Sequence, residues 1–341
     1  YLDLIDRPSV RGEIEGLKLV GDIPIELLPS NGLSLSMRFD VSRIPAMPGN
    51  AFIASCVATP VTLEYSSFSE VLIVRSFSDT DPIRNILEQA LLDGSASIRT
   101  PVRIVDVDSV QGFVDVISAF EGACLVIDCH GYYDAETGAG NLVIGGDRID
   151  MWLLKGRCDF PPIVIFSACD TQPIDGSHSS TATAAFSLGA RTVLATSLPI
   201  EAPEAAIFVR RLLHRIREFI PIALRHSHQI SWREVVSGML RMTHVSEIML
   251  TLSRVQKVPL TAVVWRRAQY AANKAINSRQ DSWFDLFLEA YSDCTGVPVQ
   301  KLRELISSFA AMTESMKYIQ LGSPENILIV RERADKTLAN G

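Results

Sequence analysis

Between Glu70 and Thr196 near-continuous apolar runs of strand length alternate with stretches whose apolar residues recur every three or four positions, except that a Gly-rich loop separates the third run from the fourth. The runs are Val71-Leu72-Ile73-Val74, Val102-Arg103-Ile104-Val105, Cys124-Leu125-Val126-Ile127, Ile163-Val164-Ile165-Phe166 and Thr192-Val193-Leu194-Ala195. A strand without polar alternation has to be covered on both faces, and a strand–helix alternation supplies that cover. The fold class expected is therefore α/β, a mostly parallel sheet flanked by helices. The intervening periodicity fits. Thr80-Asp81-Pro82 reads as a helix cap with proline at the first helical position, ahead of Ile83, Ile86, Leu87, Ala90 and Leu91. Ser109 caps Val110, Phe113, Val114 and Ile117, and a small-residue helix follows near Ala182 to Leu188. A long amphipathic helix runs from Glu201 toward Leu224.

At roughly 150 residues per domain, 341 residues suggest more than this core. Residues 69–229 are read as the core domain. Residues 1–68 carry Pro24, Pro29, Pro45, Pro48 and Pro60 and the strand-like alternation Leu33 to Phe39, and read as short strands or a docking segment. Residues 230–341 read as a helical C-terminal addition, with Trp283, Phe284, Phe287 and Leu288 as an apolar cluster and Ile327–Val330 as a final core strand.

Composition narrows the function. A chain 47% hydrophobic and 21% charged is not disordered, and a net charge of −7 argues against direct nucleic-acid binding. No apolar run approaches the ~18 residues of a membrane span, so no membrane partner is expected. No signal segment opens the chain, which starts at Tyr1 rather than Met, so an upstream portion is expected. The six cysteines, at 56, 124, 129, 158, 169 and 294, lack metal spacing and several lie in apolar runs. They read as free thiols of a cytoplasmic protein, with no metal and no cofactor.

Open α/β sheets place chemistry at the carboxyl ends of their strands. The third run ends Asp128-Cys129-His130-Gly131 and the fourth Ser167-Ala168-Cys169-Asp170-Thr171. His130 and Cys169 are 39 residues apart, enough for one crossover, so their strands can be neighbours ~4.8 Å apart. A thiol with a pKa of ~8.5 needs a base to become a nucleophile at neutral pH, and an imidazole can supply it. Gly131 can turn the backbone so that its N–H, with that of Cys169, meets a developing oxyanion. Asp128 shares a face with His130, but a buried, hydrogen-bonded carboxylate is the favoured reading. Other signatures are absent: there is no G-x-x-x-x-G-K-[ST] loop and no G-x-S-x-G elbow, and Gly138-Ala139-Gly140 lacks the third glycine of a dinucleotide fingerprint. Arg210, Arg211, Arg215 and Arg217 read as a solvated helix face.

The ordered set Val126-Ile127-Asp128-Cys129-His130-Gly131, Asn141 to Asp147, Val164 to Thr171 and Ala185 to Thr196 resembles the CHAT family of caspase-like cysteine peptidases over about residues 70–225. The resemblance implies a caspase-like sheet, a His130/Cys169 dyad and oxyanion donors at the Gly131 and Cys169 amides. Where the family often carries Trp-Pro-Val followed by acids, this chain has Leu198-Pro199-Ile200-Glu201-Ala202. Many family members are prokaryotic, fused to sensor or repeat modules, and found in defence systems. The expectation is thus a cysteine endopeptidase cleaving a protein substrate, activated by a regulatory protein or fused sensor module. A catalytically silent scaffold of the same fold that binds a partner protein stays open as the alternative. Asp170, Asp175 and Glu201 are the substrate-binding candidates. With no arginine beside them, they predict a basic residue before the scissile bond. Loops 132–148 and 170–181 are expected to border the cleft and to stay mobile until activation.

Overall fold

The computed structural model describes residues 16–93, 102–134, 136, 138–168, 171–172 and 178–332. Within them the chain separates into two compact units. A helical unit holds residues 24–41 and 236–317; a sheet unit holds 18–23, 42–235 and the chain from Tyr318 on.

In chain order the strands are β1 (Leu17–Val20), β2 (Pro29–Ser30), β3 (Leu33–Ser34), β4 (Val41–Ile44), β5 (Val61–Glu64), β6 (Val71–Ser76), β7 (Val102–Asp106), β8 (Cys124–Cys129), β9 (Gly131–Asp134), β10 (Ala139–Ile144), β11 (Asp147–Asp150), β12 (Ile163–Ser167), β13 (Thr192–Thr196), β14 (Gln229–Ser231), β15 (Tyr318–Gly322) and β16 (Ile327–Val330). Eight form one sheet in the order β1-β4-β15-β13-β12-β8-β6-β7. The five runs read from the sequence are its parallel heart: β7 pairs with β6, β6 with β8, β8 with β12 and β12 with β13, all parallel. The molecule is an α/β protein with a mostly parallel sheet and C-terminal helices.

On one face of that sheet Leu72, Val74, Leu125, Ile127, Val164 and Phe166 meet Phe113, Ile117 and Ala185 from the helices Val110–Ser118 and Thr181–Ser187. Burying each large side chain of this kind contributes about 1.5–3 kcal/mol. Both helices start at serine caps. Ser109 Oγ accepts from Gly112 N at 3.2 Å and Ser180 Oγ from Thr183 N at 3.1 Å, each worth about 1 kcal/mol. Helices Ile86–Asp93 and Ala202–His226 pack on each other, and the longer one also on β12.

Several expectations are corrected. Residues 132–148 are not a loop: most of them build the antiparallel three-stranded sheet β11-β10-β9. The alternating burial of Ala139 to Ile144 and the Gly145-Gly146 turn, both with positive φ, make the β10–β11 hairpin. Ile327–Val330 is a strand, but of a small sheet with β14 and β5. The strand that joins the main sheet is β15, antiparallel to β13 and parallel to β4. Its polar Gln320 hid the run, yet all five residues are buried, and Tyr318 stacks on Phe208 with ring centroids 3.5 Å apart. The alternation at Leu33–Phe39 holds for β3 alone, because Leu35–Arg38 is a helical turn with Leu35 and Met37 buried together. The helix expected from Ile83 begins regularly only at Ile86, after turns. Arg215 is buried rather than solvated, its Nε donating to Val235 O at 2.7 Å and its guanidinium lying 3.7 Å from the Phe219 ring centroid.

In the helical unit, Ala262–Asn277, Trp283–Thr295 and Val299–Phe309 follow the chain from Val236 to Gln256. Thr261 caps the first of these and left-handed Gly296 ends the second. His244 is buried there, its Nδ1 2.8 Å from Thr313 Oγ1; Thr313 meets Ser315, whose hydroxyl donates to Glu247 at 2.7 Å. No helix among the described residues is long and apolar enough to cross a membrane.

Candidate active site

The parallel register of β8 and β12 ends at the pair Asp128–Ser167. His130 and position 169 each stand two residues beyond that pair in the sequence. Cys169 itself lies outside the described residues, as do Asp170 and Asp175. The chain on either side of it is firmly held. Thr196 Oγ1 donates to Ala168 O at 3.2 Å, and Thr196 N donates to Thr171 Oγ1 at 3.1 Å. Gln172 N donates to Thr196 O at 3.1 Å, while Ala182 N donates to Thr171 O at 2.9 Å. Among the described residues of 170–181, Thr171, Gln172, Ser180 and Thr181 are buried and His178 is exposed.

His130 is half-exposed, with 48% of its side chain reaching solvent. The Phe77 ring meets it edge-on, 5.2 Å between centroids. Its Nε2 lies 2.7 Å from Asp81 Oδ2. A carboxylate accepts, so Nε2 carries the hydrogen and the neutral ring keeps its lone pair at Nδ1. Asp81 is held in turn: its Oδ1 accepts from Ile83 N at 3.0 Å. The bond to His130, and then the Ile83 amide, hold its carboxyl below the usual carboxylate range.

Asp81 is the partner of His130 that the sequence concealed. It was legible only as a helix cap, and it does cap the turn, but its second oxygen serves an imidazole 49 residues away. The available signal was topological: β6 neighbours β8, so the segment after β6 arrives beside the end of β8. Asp128, by contrast, turns to the neighbouring strand and accepts from Ser167 Oγ at 2.9 Å. Burial pushes its pKa up to about 6, against the Ser167 bond and the nearby Arg75. Arg75 is anchored by two bonds to Asp106, at 2.7 and 2.8 Å, and one to Glu88 at 2.9 Å.

Gly131 opens β9 without a positive φ, so the chain does not turn sharply there. Its use is different. Gly131 faces Leu142 in the antiparallel register, and the flanking bond is Val143 N to His130 O at 2.9 Å. That makes Gly131 a non-hydrogen-bonded position, whose N–H points away from β10 and stays out of the ladder. Gly131, His130 and Ala168 border one pocket of about 80 Å³, whose wall includes Ile83, Ile200 and Ala205. Glu201 is exposed and does not border it, although Ile200 and Ala202 on either side do.

The cysteines differ sharply. Burial drives the Cys124 thiol up to about 12, raises that of Cys129 further and takes Cys158 to about 11, so none of these is a nucleophile at neutral pH. Among the described residues no group of three or more His, Cys, Asp or Glu side chains could hold a metal ion. The class of site this geometry defines is a carboxylate-anchored imidazole at the carboxyl end of a parallel sheet, beside a small pocket. No protein-family model matches the chain, and no curated protein sequence matches it.

Proposed function

We propose that the chain is a cysteine endopeptidase of the caspase-like, CHAT type, with His130 and Cys169 as its dyad. The observation that carries this reading is the anchoring of His130: Nε2 on Asp81, Nδ1 left as the basic atom, at the strand end adjoining the one that leads to Cys169. In the proposed reaction Nδ1 takes the Cys169 proton as sulfur attacks a peptide carbonyl. The carbonyl oxygen becomes an oxyanion facing the Gly131 and Cys169 N–H groups. The imidazolium returns the proton to the leaving amine, and a thioester remains on Cys169. Water, deprotonated by the same nitrogen, then releases the carboxyl product and restores the thiol. Asp81 is a positioning residue, fixing the ring tautomer and balancing the imidazolium charge.

The substrate is a protein. The resemblance supports control by a regulatory protein or a fused sensor module, in the cytoplasm of a prokaryote and in a defence role. A peptidyl ketone that alkylates active thiols tests the dyad. Cys169 is expected to be modified in the wild type and spared in His130→Ala, while exposed Cys56 reacts equally in both. Labelling of Cys169 indifferent to His130 would instead favour the silent scaffold.

A further inference from the structure

The pocket that starts at His130 and Gly131 has described walls that differ from the acid-lined pocket, selective for a basic residue, expected from the sequence. Its lining includes Phe77, Ile83, Ile86, Ile200, Ala205 and Tyr318. Among the described lining residues there is no Lys, Arg or Glu, and the single Asp is Asp128, which is buried and committed to Ser167. Glu201 lies outside the lining, and Asp81 is occupied by His130 and the Ile83 amide. An arginine or lysine side chain seated here would lose its water and meet only the buried, Ser167-bonded Asp128, and an aspartate would meet no Lys or Arg among the described walls.

Size narrows the occupant further. A dry protein cavity of ~150 Å³ holds the six carbons of benzene, about 25 Å³ per carbon. The pocket's volume of about 80 Å³ therefore matches roughly three carbons. Valine has that many beyond Cα, and leucine has one more to leave at the open mouth. Position fixes which substrate residue enters. A carbonyl held between His130 and the Gly131 N–H sits at the pocket rim, and the side chain closest to it belongs to the residue that contributes the carbonyl.

We infer that this pocket seats the substrate residue immediately before the scissile bond and selects a small aliphatic side chain, valine or leucine, in place of the basic residue expected from the sequence. The inference rests on the peptidase reading. Each methylene moved from water into such a site is worth about fourfold in transition-state binding. Valine should therefore exceed glycine by at least tenfold, and arginine or aspartate should fall about 10²-fold below valine.

The full chain is tested with matched peptidyl ketones and peptides carrying Gly, Ala, Val, Leu, Arg or Asp before the bond, reading His130-dependent modification of Cys169 and cleavage. Val and Leu fastest supports the inference. Arg or Asp fastest overturns it and leaves the peptidase standing. No His130-dependent reaction with any member of the set removes the peptidase reading and the inference with it. Ala205→Glu places a carboxylate on the wall and should move preference toward Arg, while Ala205→Phe should erase the advantage of Val over Gly. Unchanged selectivity in both, with wild-type circular dichroism, would place the specificity elsewhere. The wild-type series decides the matter even if neither variant folds.

Discussion

The end of β8 and the interior of the helical unit are built from the same kinds of side chain: an imidazole, carboxylates and hydroxyls. Their environments separate them. His130 is half-exposed, with its Nε2 bonded to the Asp81 carboxylate. His244 is 3% exposed and bonded to a hydroxyl; burial lowers its pKa to about 4, and it stays neutral. The network His244–Thr313–Ser315–Glu247 satisfies buried polar groups and holds elements together, whereas the Asp81–His130 pair reaches solvent and, on the proposed reading, leaves Nδ1 for chemistry. Residue type alone does not distinguish such clusters. Access and the partner's charge do.

The largest expected effect breaks the comparison at its centre. Cys169→Ala or His130→Ala should lower turnover by at least about 10³-fold, with little change in the thermal midpoint because His130 is half-exposed. His244→Ala should do the reverse, costing about 2–4 kcal/mol in denaturant unfolding through a cavity and a stranded Thr313 hydroxyl, while the folded fraction keeps its turnover. Loss of turnover in the folded His244 variant would erase the distinction.

The two regions should also respond to pH in opposite directions. Asp128 has a folded pKa of about 6, above the ordinary carboxyl value, so between pH 4 and 6 the folded state binds more protons than the unfolded one. Stability from this group falls as pH rises through that window, by up to about 3 kcal/mol. His244 has a folded pKa of about 4, below its ordinary 6.5, so there the unfolded state binds more protons and stability falls as pH drops from 6.5 to 4, by a similar amount. Amide exchange in β8 and in the 236–256 helix segment, corrected for intrinsic rates, should show opposite trends. Asp128→Asn and His244→Phe should each flatten one of them.

Two smaller effects sharpen the comparison. Asp81→Asn keeps an oxygen for the Ile83 amide but loses the charge facing His130, and kcat should fall about 10²-fold with little change in KM or stability. An unaffected kcat would make Asp81 a turn cap only. Ser167→Ala removes the bond that lowers the Asp128 pKa, so it should cost about 1 kcal/mol near neutral pH and extend the pH-dependent loss beyond pH 6.

The sequence exposed what depends on a run of one chain segment. β6, β8, β12 and β13 were legible because a strand buried on both faces shows as a near-continuous apolar run, β7 at the sheet edge showed as a run interrupted by Arg103, and His130 was legible because it follows such a run. What depends on two distant segments was hidden. Asp81 meets His130 only because β6 and β8 are neighbours. Gln320 masks β15, since a polar residue in a buried strand looks like a break until its neighbours are known. Arg215 counted as surface until its guanidinium found Phe219 and the Val235 carbonyl. Glycines misled in the other direction, because Gly138, Gly140, Gly145 and Gly146 suggested a loop where they serve the turns and close packing of β10.

The place of β15 in the sheet has a consequence in time. It lies between β13 and β4, yet about 120 residues separate it from the end of β13. At a ribosomal speed of ~5–20 residues per second, those residues take about 6–24 s to appear. Throughout that interval β13 is an unfinished margin with its outer N–H and C=O groups unpaired, and β1 and β4, made long before, have no seat. Any early pairing of β4 directly with β13 must open again to admit β15. The sheet is therefore closed last by a late-synthesised strand, and a nascent chain halted before Tyr318 should bind chaperones through β13 until Tyr318–Gly322 emerges.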